Sequence, residues 1–247
     1  VLAGAPEPVA FFGYPGMPSR LAPGGCRLEL LATPEEDVEA AREELADALE
    51  APAAGPAPSR PRPAPPQGRL TPEAVGAVLA LGQPEGAIVV DESITTGLAY
   101  FHPAATSPRH TLLTLTGGSI GMGPACAVGA AIACPDRPVL CFQGDGGAMY
   151  TLQSLWTQAR EQLHVVTLLC ANRSYQVLRV ELERAGVSQP GPQARSLTDL
   201  SGPALDWVQL ARGMGVPAGR VDSAEGLRQA LARALAEAGP HLIEMAL

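Results

Sequence analysis

The chain has 247 residues, 46% of them hydrophobic but only 4% aromatic, and a net charge of −8. That length holds one large or two small domains, with a core built from Ala, Val and Leu. The negative balance argues against nucleic acid or an anionic membrane as the main partner, and the 17 basic residues, all arginine, read as base-composition bias, not chemistry. Residues 8–12 and 27–32 read as strands around a turn-rich patch at 13–25. An acidic helix follows over 34–49, with Thr33 as N-cap and Glu35 and Glu36 in its first turn. Segment 1–50 is too short for a domain of its own and is expected to be the C-terminal remnant of an α/β domain. Residues 51–67 contain seven prolines and five alanines, the composition of a semi-rigid linker.

From 68 to 247 the pattern becomes regular. It predicts helices over 71–81, 95–101 and 124–133, interleaved with strands over 87–90, 111–115 and 139–143. A helical segment leads to a strand over 165–171, and residues 175–184 read as a surface helix. Then come a helix over 204–214, a strand over 218–221, a helix over 223–238 and a last strand over 241–246. Strands alternating with helices imply an α/β fold with a doubly wound parallel sheet. The five cysteines include no Cys-x-x-Cys pair and several lie in apolar runs, so buried thiols in a reducing cytoplasmic setting are expected. No apolar run reaches 18 residues and no signal peptide is evident, so no membrane segment is expected.

The richest stretch is 144–174. One apolar strand ends on Gly144-Asp145-Gly146-Gly147, and the next ends on Asn172-Arg173-Ser174. The C-terminal ends of parallel strands are where open α/β sheets bind ligands. A carboxylate oxygen of Asp145, the amide oxygen of Asn172 and the backbone carbonyl near Ser174 suit Mg²⁺, which leaves places for phosphate oxygens and water. The glycines let the main chain approach a diphosphate. Gly-Asp-Gly alone is ordinary turn material; the spacing adds the information, because 25 residues (147–171) accommodate one helix and one strand before Asn172.

This stretch resembles the signature of thiamine-diphosphate-dependent enzymes, Gly-Asp-Gly followed one helix and one strand later by Asn. Residues 150–156 and 172–179 are similar to benzoylformate decarboxylase and acetolactate synthase sequences, with Ala171 where the family commonly has the first of two Asn. The resemblance covers essentially the whole chain. It implies a central-domain remnant at 1–50 and a cofactor diphosphate-binding domain over 68–247. It also implies thiamine diphosphate and Mg²⁺ as cofactors, with Asp145, Asn172 and Ser174 as metal ligands. Gly144, Gly146, Gly147 and Tyr175 join the cofactor site.

Two further loops fit the same ligand. Ser93, Ile94, Thr95 and Thr96, in Asp91–Gly97, resemble a diphosphate-lining run, although the segment also reads as a simple N-cap. Gly118, Ser119 and Ile120 leave another strand. Read alone, they form a flexible turn; by resemblance, their backbone holds the aminopyrimidine while Ile120 props the cofactor bent. Asp91 and Glu92 are a candidate acid–base pair, one of them facing solvent. The four histidines (102, 110, 164, 241) show no metal-like spacing.

The resemblance implies an acetolactate synthase-like carboligase or decarboxylase of 2-oxo acids, shared between subunits of a homodimer or homotetramer. The family's glutamate on the aminopyrimidine is expected from outside these residues. Benzoylformate-type chemistry is an alternative, but the stretch at 9–16 lacks the histidine such enzymes carry. A non-catalytic cofactor-binding chain is another. A dinucleotide-binding reading fails because 117–121 does not give Gly-x-Gly-x-x-Gly and Gln143 stands near the ribose position.

Overall fold

The computed structural model describes residues 7–33, 35–52 and 61–247. Much of the expected linker, and Pro34 at the expected helix start, lie outside them. Two compact units divide the chain, Val1–Ser59 and Arg60–Leu247.

In the first unit, the expected strand at 8–12 is reduced to one antiparallel bridge between Val9 and Arg20. Residues 27–32 form no ladder among the described residues, and Leu28, Leu30 and Leu31 are exposed. A strand is stable only when its backbone groups pair across a sheet. The acidic helix α1 runs over Val38–Ala48, and its N-cap is Asp37, whose carboxylate accepts from the Glu39 and Ala40 amides. Thr33 does not cap it; its N–H donates to the Glu36 carboxylate at 2.7 Å in the turn before the helix.

The second unit is one parallel sheet of six strands: β1 (Ile88–Glu92), β2 (Thr111–Thr114), β3 (Val139–Gly144), β4 (Val165–Ala171), β5 (Ala218–Val221) and β6 (His241–Ala246), ordered β2-β1-β3-β4-β6-β5. The chain moves from β1 to β2 on one side and resumes at β3 on the other. The order therefore reverses between β1 and β3, which opens a crevice at their C-terminal ends.

Strands β1, β3 and β4 are buried almost throughout because both faces of the sheet are covered. Val89, Leu140, Phe142, Val166 and Leu168 face α2 (Pro72–Gly82), α3 (Leu98–Ala104) and α10 (Ala224–Ala236). The alternate residues Ile88, Val90, Val139, Cys141 and Val165 face α4 (Gly123–Ala133). Leu169, Ala171 and Leu242 pack with α5 (Asp145–Thr151), α6 (Ser154–Arg160) and α9 (Trp207–Gly213).

Thr71 caps α2 as its Thr-Pro-Glu start predicts, with its hydroxyl accepting from the Ala74 amide. Several boundaries differ from the sequence reading; β1, expected over 87–90, runs on through Asp91 and Glu92. The third helix begins at Leu98, not at 95, because Ile94 takes a left-handed backbone with φ 54° and a turn follows it. The segment between β3 and β4 breaks into α5 and α6. The helix expected from 204 starts at Trp207, capped by Asp206. Helix α7 spans Gln176–Arg184, and α8 over Pro192–Leu197 is additional. No helix among the described residues is long and apolar enough to cross a membrane.

Candidate functional site

Four loops leave the C-terminal ends of four adjacent strands, β2, β1, β3 and β4, and the sheet order places them side by side. The site residues named from the sequence lie at these strand ends: Ser93–Thr96 follow β1, Gly118–Ile120 follow β2, Gly144 ends β3 and Asp145–Gly147 open α5 directly after it, and Asn172, Ser174 and Tyr175 follow β4.

The β3 and β4 loops are tied together by Asp145. Its carboxylate accepts from its neighbour Gly146 N at 2.9 Å and from Arg173 N at 2.7 Å across the crevice. Arg173 adopts a left-handed conformation, φ 55°, which directs that N–H at the carboxylate. The Asn172 side-chain oxygen accepts from Ser174 N at 3.0 Å. Tyr175 lies over Gly146, where a Cβ would meet the ring at 2.5 Å, so that position has no room for a side chain.

Asp145 is 3% exposed and forms no ion pair with any described residue. Burial pushes its carboxyl above the ordinary aspartate value, and the two backbone N–H groups only partly offset this. Beside it, the buried Ser174 hydroxyl has no hydrogen-bond partner among the described residues. A buried carboxylate without a cation and an orphaned hydroxyl are costly unless a ligand satisfies them. No cluster of three or more His, Cys, Asp or Glu among the described residues is placed to hold a metal. The oxygen donors on these two neighbouring turns are one carboxylate, one amide oxygen and main-chain carbonyls. Hard oxygens of this kind, few in number, suit Mg²⁺ completed by phosphate oxygens and water. The residues present fit such an ion.

On the β1 side, Asp91 and Glu92 are both buried, so neither faces solvent, as one of them was expected to. Asp91 accepts from the Ser93 amide at 2.9 Å and the Ser93 hydroxyl at 2.6 Å, while burial raises its pKa. It organises the 93–97 turn, and Gly97 is needed there because a Cβ would collide with Ser93 Oγ and the Asp91 carboxylate. Glu92 points into the other layer and accepts from the amides of Gly121 and Gly123. In the β2 loop, Gly117, Gly118 and Gly121 all have positive φ, Ser119 is exposed and Ile120 is half-buried.

The thiamine pyrophosphate enzyme family, through its C-terminal TPP-binding domain, matches residues 94–245. The chain belongs to this family. A Mycobacterium tuberculosis protein provisionally named acetolactate synthase large subunit IlvX is 51% identical over 99% of the chain and 48% of its own length. The benzoylformate decarboxylase of Pseudomonas aeruginosa is 36% identical over 72% of the chain and 32% of its own length. Among solved structures, the thiamine diphosphate-dependent 4-hydroxybenzoylformate decarboxylase of Rhodococcus jostii superposes with a TM-score of 0.70 at 31% identity, covering 84% of this chain and 38% of that one. The chain thus spans about half or less of the length of these relatives. As a thiamine pyrophosphate family member, it has the parallel α/β architecture that the alternating pattern predicted.

Two residues of the site were undervalued in the sequence. Glu92 was read only as half of an acid–base pair, and Gln143 only as a strike against dinucleotide binding. The available signal was the glycines at 121, 123 and 147, which leave room for two polar side chains.

Proposed function

We propose that the chain is the diphosphate- and Mg²⁺-binding part of a thiamine-diphosphate-dependent carboligase or decarboxylase of 2-oxo acids, acetolactate synthase-like. The observation that carries this reading is the buried, cation-free Asp145 carboxylate beside Asn172 and Ser174 at the reversal of strand order. Asp145, the Asn172 amide oxygen and the Ser174 backbone carbonyl would hold the ion. The loops at 93–96 and 144–147 would take the diphosphate, and the backbone at Gly118, with Ile120, the aminopyrimidine. The cofactor, when bound, supplies an electron sink for the carbon that loses CO₂. The chain's own residues bind it, orient it and exclude water from its diphosphate end.

The 51% identity to an acetolactate synthase-like protein supports the carboligase side of the reading. The likeness to two benzoylformate-type decarboxylases favours an aromatic 2-oxo acid as the second reading. Assembly as a homodimer or homotetramer, in the cytoplasm, belongs to the same proposal. The apolar side chains exposed on α5 and α6, Met149, Tyr150 and Trp156, support assembly.

Calorimetric titration of thiamine diphosphate with Mg²⁺, with EDTA, and with NAD in its place tests the cofactor reading. Binding that requires Mg²⁺ is expected. Binding of NAD alone would overturn it. Turnover of pyruvate against benzoylformate by a chain of the relatives' length separates the two substrate readings.

The reading also fixes a pH dependence. Asp145 is raised above 3.8 in the fold, so its contribution to folding is full below 3.8 and is lost as pH rises through the raised value. Metal binding runs the opposite way because the ligand must be ionised. Mg²⁺ affinity is therefore expected to fall as pH drops through the raised Asp145 value, and titrations at stepped pH would show it. Affinity that stays flat down to 3.8 would remove Asp145 from the ligand set.

A further inference from the structure

We propose that Glu92 is a positioning residue whose carboxylate clasps the β2 loop, 117–123, against the β3 turn and so sets how tightly the pyrimidine end of the cofactor is held. The inference rests on the cofactor reading above for its ligand, but the clasp itself is a feature of the free chain.

Glu92 is 1% exposed and ends β1 in register with Gln143 of β3. One carboxylate oxygen accepts from Gly121 N and from Gln143 Nε2, the latter at 3.1 Å; the other accepts from Gly123 N. The space is fitted to these groups. A Cβ at Gly123 would strike Gln143 Oε1 and approach Glu92 Cβ at 3.1 Å, and one at Gly147 would strike Glu92 Oε1. From the far side, Thr151 Oγ1 of α5 donates to the Gly121 carbonyl at 2.8 Å. The clasp thus joins the ends of β1 and β3, the start of α4 and the loop between β2 and α4.

Two features argue that the charge is there for the loop and not for packing. Burying a carboxylate is costly, and an apolar side chain of similar volume fills a core at lower cost. The Gln143 amide, fully buried, turns its N–H toward Glu92 and leaves its own oxygen without a partner among the described residues. The reverse orientation would set oxygen against oxygen. What the carboxylate secures is a segment with three positive-φ glycines, at 117, 118 and 121, whose conformation no helix or strand imposes.

Glu92→Gln replaces one acceptor with an N–H₂ facing a backbone N–H while keeping the volume. Amide hydrogen exchange on the free 247-residue chain is expected to speed up about tenfold or more at whichever of Gly121 and Gly123 faces the new N–H₂, and less at the other, the size set by losing a hydrogen bond to a charged group, with β3 amides unchanged. Gly123→Ala, which wedges a methyl into the clasp from the loop side, should give the same local pattern and serves if the first variant does not fold. With Mg²⁺ present, thiamine diphosphate should bind Glu92→Gln about tenfold more weakly than it binds the parent chain, while inorganic pyrophosphate binds within about twofold. Unchanged exchange, or acceleration that spreads to β3, overturns the clasp. Equal weakening of both ligands overturns its selectivity for the pyrimidine end. If the parent chain fails to bind thiamine diphosphate, the cofactor reading falls, and the exchange data alone decide the clasp.

Discussion

Asp145→Ala is expected to remove Mg²⁺-dependent binding of thiamine diphosphate, lowering affinity at least about a hundredfold. Breaking a buried charge contact costs roughly 3–5 kcal/mol, and 1.4 kcal/mol corresponds to a factor of ten. The size follows from the setting: the carboxylate is buried, has no arginine among the described residues to share its charge, and is aimed by Gly146 N and Arg173 N. Those two N–H groups lose their acceptor in the variant, so a drop in stability accompanies the loss. Asp145→Asn separates the effects, since its amide oxygen still accepts from one of them while the negative charge is gone. Calorimetry on both variants should show the metal requirement gone in each. Undiminished Mg²⁺ dependence in either would place the ion elsewhere.

Gly76→Ala is expected to destabilise the chain by about 2–3 kcal/mol, the range of overpacking in a tight core. This reverses the usual sign, because replacing a glycine inside a helix with alanine ordinarily adds roughly 0.5–1 kcal/mol. Gly76 sits where α2 crosses α3, and its missing Cβ would lie 2.5 Å from the Ala99 carbonyl oxygen, 2.7 Å from its carbon and 2.9 Å from Tyr100 N. All three are backbone atoms, so α3 as a whole must shift. Tyr100, fully buried and bonded to Gln83 at 2.5 Å, would move with it. Gly82→Ala in the same helix is the control, because its Cβ meets only the tip of Leu231, at 2.8 Å. Thermal unfolding should show Gly76→Ala melting roughly 5–10 °C lower. A variant as stable as its parent would mean that the two helices do not approach so closely.

The architecture was legible because its signals are local. Strands β4, β5 and β6 lie at the residues predicted, since short segments bounded by turn residues leave the chain little choice. The cap at Thr71 was equally readable, as its hydroxyl meets the amide three residues ahead, whereas Ser223, predicted as the first residue of its helix, caps it instead. The β-like run at 27–32 misled, because strand formation depends on a partner that the sequence does not name. Ile94 misled in another way. A β-branched residue gives no warning of a positive φ, which is imposed here by the turn that Asp91 and Ser93 hold.

The sequence by itself determined the alternation of strands and helices, the four glycine- and hydroxyl-rich loops, and the spacing that joins Asp145 to Asn172. All of these depend on residues close together in the chain. Only the tertiary structure decided the strand order that sets the four loops side by side, the burial that leaves Asp145 without a counter-charge, and the grip of Glu92 on Gly121 and Gly123. These are long-range facts: Glu92 lies about thirty residues before the amides it holds and 51 before Gln143. No periodicity or propensity encodes a distance that exists only once the sheet has formed.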